Sequence, residues 1–64
     1  MEIIAYISPP NSVDNQRPVK LITDNLGASA NLWKELSFDE QTILICSYLD
    51  DIGYQGWNVN RIIN

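Results

Sequence analysis

Asp39, Glu40, Asp50 and Asp51 are the residues of this 64-residue chain whose types could do chemistry, because paired carboxylates can share a proton or hold a divalent cation. Either use requires the two pairs to converge. They fall near opposite ends of one helical segment, and at about 1.5 Å of rise per residue they stand roughly 16 Å apart. Ligands of Ca²⁺ or Mg²⁺ must approach to about 2.0–2.6 Å, so the pairs cannot share an ion. Cys46 is the one thiol, and the chain has no histidine to activate it. Within an apolar helical segment it reads as a structural thiol, and being alone it forms no internal disulfide. Gly27, Gly53 and Gly56 are too dispersed for a phosphate-binding loop. No catalytic, metal or nucleotide motif is present, and a chain this small has little room for a substrate cleft. The expectation is a protein that is not an enzyme and needs no cofactor.

The element that carries these carboxylates is well signalled. Ser37 followed by Glu40 forms a capping box, in which each side chain satisfies a backbone N–H of the first turn, and Gly53 suits a left-handed stop. A helix over Phe38–Asp51 follows. Helical periodicity puts Phe38, Thr42, Ile45, Leu49 and Ile52 in one stripe, flanked by Gln41, Leu44, Cys46 and Tyr48, which is the side expected to pack on a sheet. The opposite side collects Asp39, Glu40, Asp50 and Asp51, with Ser47 and Ile43 between the acidic pairs.

The remaining segments divide into strands and turns. Glu2 to Ser8 and Pro18 to Asp24 are short, rich in Ile, Val and Tyr, and bounded by turn formers, so both read as strands. Pro9 to Arg17 links them as a loop, stiffened by Pro9-Pro10 at one end and Arg17-Pro18 at the other, and reads as either a spacer or a functional loop. Asn25 to Ser29 reads as a turn. Ala30 to Leu36 is expected to form two turns of helix capped by Ser29, with Leu32, Trp33 and Leu36 laying one edge on the core and Trp33 as its lid. A turn at Tyr54-Gln55-Gly56 leads to a third strand, Trp57 to Ile63. The fold class is therefore α+β, with chain order β-β-α-β: a small three-stranded antiparallel sheet, one main helix on one face, and a short helix before it.

Residues alternate sides along a strand, so if Ile3, Ala5, Ile7, Val19, Leu21, Trp57 and Val59 face the helix, Ile4, Tyr6, Ile22 and Ile62 face away. One helix covers one side only. The outward set, with Lys20, Asn58 and Asn60 around it, would be an apolar patch that either the proline-bounded loop or another chain covers. A one-residue slip of register would exchange the two faces.

Composition narrows the partners. The hydrophobic fraction is 45% against 19% charged residues, which belongs to a folded chain with a core. Residues 1–64 are expected to form a single small acidic domain, which at this size buries only about 60% of the surface its unfolded form exposes. The formal charge is −4, and the four basic residues, Arg17, Lys20, Lys34 and Arg61, are scattered, whereas nucleic-acid binding needs a concentrated positive footprint. Direct contact with nucleic acid is not expected. The longest apolar runs fall far short of a membrane span, and Glu2 sits where a secretory signal would be basic, so a soluble cytoplasmic protein with no membrane partner is expected. Opening on Met1 and closing on an apolar segment without a linker, the chain reads as a whole small gene product.

Two function classes are compatible with these residues. The first is an inhibitor or adaptor that occupies a functional surface of a larger protein, such as a basic nucleic-acid-binding groove. Asp39, Glu40, Ile43, Asp50 and Asp51 would form its contact face, with the charges steering and Ile43 anchoring. In size, charge and expected architecture the chain looks like the small acidic proteins that phage and plasmid genomes carry to act on host machinery. The second is a structural subunit or assembly factor that self-associates, as a homodimer across Ile4, Tyr6, Ile22 and Ile62 or through an edge strand.

Overall fold

The computed structural model covers Met1–Asn64. Three strands form one antiparallel sheet: β1 (Glu2–Ser8), β2 (Arg17–Ile22) and β3 (Asn58–Ile63), in the order β2-β1-β3. With its near-continuous apolar run Ile3–Ile7, β1 suits the centre, where both edges are paired and both faces carry aliphatic side chains. Against β2 the register is regular: Ile3, Ala5 and Ile7 stand opposite Leu21, Val19 and Arg17, while Glu2, Ile4 and Tyr6 stand opposite Ile22, Lys20 and Pro18. Ile3, Ala5, Ile7 and Leu21 are buried, which fixes the first set as the inner face.

Pairing with β3 is not regular. Ile7 stands opposite Val59 and Tyr6 opposite Arg61, so Asn60 is an extra residue between them, a β-bulge. Beyond the bulge the alternation is shifted by one. Ala5 faces Ile62 and Ile4 faces Ile63, which corrects the expectation for Ile62: it packs against the core instead of facing away, and Arg61 and Ile63 take the outward places. Hydrogen bonds between β3 and the end of β1 accompany the bulge. Asn60 Nδ2 donates to the Oγ of fully buried Ser8 at 2.9 Å, and Asn58 Nδ2 donates to the carbonyl of Pro9 at 3.2 Å. Two asparagines in β3 thus tie down the end of β1 and the start of the 9–16 loop, and the first of these bonds satisfies a hydroxyl that burial would otherwise penalise.

The second strand ends at Ile22, two residues before the expected bound at Asp24. After Ile22 the chain turns into a 3-10 turn, Thr23–Leu26, closed by Gly27 at φ 83°, where the left-handed conformation is open to glycine. The Thr23 N–H donates to the Met1 carbonyl at 2.9 Å, and this bond closes the sheet. Next comes α1 (Ala30–Glu35), whose Ser29 side chain accepts from the Leu32 N–H, and then α2 (Phe38–Asp51). The α2 capping box is complete: Ser37 Oγ accepts from Glu40 N–H at 3.2 Å, and Glu40 Oε1 accepts from Ser37 N–H at 2.9 Å. Its far end closes through Gly53 at φ 101°, with the Tyr54 N–H reaching back to the Leu49 carbonyl at 2.8 Å.

The core lies between the helices and the inner sheet face. Ile3, Ala5, Ile7, Leu21, Leu26, Ala28, Trp33, Ile45 and Leu49 form one buried cluster. Trp33 is its centre instead of a lid: it is fully buried, and its indole N–H donates to Asn64 Oδ1 at 2.8 Å, so the C-terminal residue anchors α1. Gln41 is buried beside it and donates to the Trp33 carbonyl at 2.9 Å, coupling α1 to α2. Phe38 and Ile52, expected in the α2 core stripe, are about half exposed, because they occupy the two ends of a helix whose buried residues are Gln41, Ile45 and Leu49. At the sheet margin the Arg17 guanidinium lies 5.7 Å from the Trp57 ring centre, and Tyr54 packs against the same ring at 4.9 Å.

Hydrogen bonds from the Ser37 backbone and then its side chain hold the Glu40 carboxyl below its ordinary pKa. A folded-state value below the unfolded one stabilises the fold above the unfolded pKa, and the contribution is lost as pH falls through the folded pKa. Chemical denaturation midpoints should therefore drop more between neutral pH and pH values below the usual glutamate range for the parent than for Glu40→Gln. Equal pH dependence in the two proteins would show that the capping box does not persist in solution.

Candidate functional site

The outer side of α2 carries all five expected contact residues, but the fold divides them. Glu40, Ile43 and Asp51 share the helical side with Leu44, Ser47 and Tyr48, which faces the Asn25–Gly27 turn and α1 across a furrow. Asp39 and Asp50 lie beyond Ile43 on the solvent side and line neither of its hollows. Ile43 is 67% exposed, more than any other large apolar side chain of the protein. Asp50 and Asp51 sit in the last turn of a helix that has no basic residue there, where the negative end of the helix dipole opposes them.

The furrow consists of two hollows that meet at Leu44. The larger, about 340 Å³, is lined by Gly27, Leu32, Leu36, Glu40, Ile43 and Leu44. The smaller, about 110 Å³, is lined by Asn25, Leu26, Leu44, Ser47, Tyr48 and Asp51. Glu40 thus marks one end and Asp51 the other, with aliphatic side chains between. The first wall was missed at the sequence level: Leu32 is 45% exposed and Leu36 half-buried, although their spacing reads as a helix edge against the core. Leu32 and Leu36 are one turn apart, while Lys34 projects from about the opposite side of α1, leaving no cation among the lining residues.

Outside the furrow the outer sheet face is the other candidate surface. Ile4 and Tyr6 are half-buried, Ile22 is exposed, and Ile63 has taken the place expected for Ile62. Both helices lie on the other face, since Trp33, Ile45 and Leu49 share a cluster with Ile3, Ala5 and Ile7. The loop between β1 and β2 is internally bonded, Ser12 N–H to Pro9 carbonyl and Asn15 N–H to Ser12 carbonyl, and most of its residues are exposed. Partial cover comes from β3 instead: the Arg61 guanidinium sits 5.8 Å from the Tyr6 ring centre. Long basic side chains can lay their stems on apolar neighbours while keeping their charge in water. Lys20 and Arg61 lie on this face with Glu2, so it is mildly positive, whereas the α2 side is acidic.

Cys46 lies half-buried on α2. Burial, and then Asp50 one turn along, push its thiol above the ordinary range, which disfavours the thiolate that a nucleophile requires. No three acidic or cysteine side chains come together in a way that could hold a metal ion, and no helix is long and apolar enough to cross a membrane. No protein-family model, curated protein or solved structure matches the chain.

Proposed function

We propose that this protein is a small binding module, an inhibitor or adaptor that occupies a functional surface of a larger protein through the furrow between α1 and α2. The observation that carries the reading is the placing of exposed Ile43 and Leu32 on facing walls with a carboxylate at each end. An apolar centre ringed by charge is the arrangement that gives an interface both an anchor and directional steering. Stability of the free chain favours neither an exposed isoleucine nor aspartates against the helix dipole.

A photo-crosslinking residue at position 43 tests this in the cells that make the protein. The expected result is one crosslink to a defined segment of a single larger protein, with none from the same residue at position 6. Crosslinks from position 6 alone would refute the furrow as the contact surface. With the partner in hand, the Asp50→Asn, Asp51→Asn double variant should associate more slowly at low salt. The difference should shrink at high salt, because exposed charges steer over about 10 Å at 0.1 M ionic strength. The same variant should be slightly more stable when free, since two charges opposing the dipole are gone. Equal association rates at both salt concentrations would leave Asp50 and Asp51 as solvated residues.

One observation favours a second reading, self-association across the outer sheet face: it presents Ile22 and Ile63 to solvent and carries both charge signs, Glu2 with Lys20 and Arg61, so that one copy can complement another. In that case sedimentation should show a dimer that Tyr6→Lys dissociates while circular dichroism stays unchanged. A parent that sediments as a monomer at high concentration would exclude it.

A further inference from the structure

We propose that the occupant of the α1–α2 furrow is an amphipathic helix of the partner, aliphatic along one face and carrying lysine or arginine at both ends. This rests on the reading of the protein as a binding module and names the chemistry of what it binds.

The walls decide against an extended segment. A peptide that binds as a strand draws its affinity from main-chain hydrogen bonds to an open sheet edge, whereas here the furrow lies between α2 on one side and α1 with the Asn25–Gly27 turn on the other, and no strand residue lines it. A helix satisfies its interior backbone, so it can lay a side-chain face in such a furrow while the unpaired groups at its two ends stay in water. Length agrees with this. Glu40 and Asp51 are separated by about 16 Å along α2 at 1.5 Å per residue, the span of roughly three helical turns. Over that distance Leu32, Leu36, Ile43 and Leu44 offer apolar contact toward the Glu40 end, and Leu44 continues into the smaller hollow.

Charge selects the ends of the occupant. Glu40 and Asp51 lie at the two limits of the furrow, Asp39 and Asp50 add negative potential from the adjoining side of α2, and the lining holds no basic residue. The four basic side chains of this protein lie elsewhere: Arg17 against Trp57, Lys20 and Arg61 on the outer sheet face, and Lys34 on α1 outside the lining of either hollow. A second copy of this chain therefore offers no matching segment. Its longest helix is itself acidic at both ends, with Asp39 and Glu40 at the start and Asp50 and Asp51 at the finish.

The test uses the full chain, labelled for NMR, and three synthetic peptides of about three turns. The first carries leucine at i, i+3, i+4 and i+7 with arginine at both ends; the second replaces arginine by glutamate; the third keeps arginine and places proline at the centre. The first should bind in a helical form, shifting the resonances of Leu32, Leu36, Ile43 and Leu44. The second and third should bind at least about tenfold more weakly, for want of complementary charge and of helix respectively. Ile43→Lys, at an exposed position that leaves the fold intact, should abolish the shifts. Equal affinity of the three peptides, absence of binding by the first, or shifts confined to the outer sheet face would each overturn the proposal. A mapped crosslink from position 43 to a segment that is not a basic helix would overturn this inference while leaving the binding-module reading standing.

Discussion

Trp33→Ala is expected to unfold most of the protein at ambient temperature. Removing a fully buried tryptophan costs about 3–5 kcal/mol, which equals the whole stability a single core of this size commonly supplies. The substitution removes the indole that fills the core and also its N–H bond to Asn64 Oδ1, whereas the Gln41 bond, made to the Trp33 backbone carbonyl, keeps its acceptor. Ile45→Ala and Leu49→Ala, which remove fully buried contacts and no side-chain hydrogen bond, should each cost about 2–5 kcal/mol. Asn64→Ala leaves the indole N–H without its partner and should cost about 1–3 kcal/mol. Urea or thermal denaturation followed by circular dichroism orders the four variants. A Trp33→Ala protein as stable as the parent would mean that the core is not built around this residue.

The second large effect separates neighbours in β3. Ile62→Asp should destabilise the protein by about 2–4 kcal/mol, because it places a carboxylate on the inner face opposite fully buried Ala5. Ile63→Asp, one residue on and facing outward beside Ile4, should cost less than about 1 kcal/mol. Without the bulge at Asn60 the order would be reversed. The comparison therefore measures the register directly, and a larger loss from Ile63→Asp would contradict the observed pairing.

That pair also marks where sequence reasoning stops. The long helix was legible to the residue, since Ser37, Glu40 and Gly53 act on backbone groups within one or two turns of themselves and need no tertiary partner. Ser29 and the three-stranded α+β arrangement were legible for the same reason, each segment carrying its own period and its own stops. A bulge is different in kind. Val59 to Ile63 alternates acceptably in either phase, and the choice between them is made by Asn60 reaching Ser8, 52 positions away in the chain. The site shows the same division. Ile43 and the carboxylates stood out because periodicity puts them opposite the core, but the wall that faces them does not follow from α1 alone. Leu32 and Leu36 have the spacing of buried residues, yet Leu32 is exposed and Leu36 half-buried where they line the larger hollow. The end of β2 at Ile22 instead of Asp24 belongs with these, because Thr23 and Asp24 pass into the 3-10 turn after the bond from Thr23 to Met1.

An amide hydrogen-exchange footprint of the chain bound to its captured partner tests whether the α1–α2 furrow is the working surface of the protein. The expected result is added protection in residues 25–36 and 40–51, with exchange in β2 and β3 unchanged. Protection confined to the strands, centred on Tyr6, Lys20 and Arg61, would contradict it.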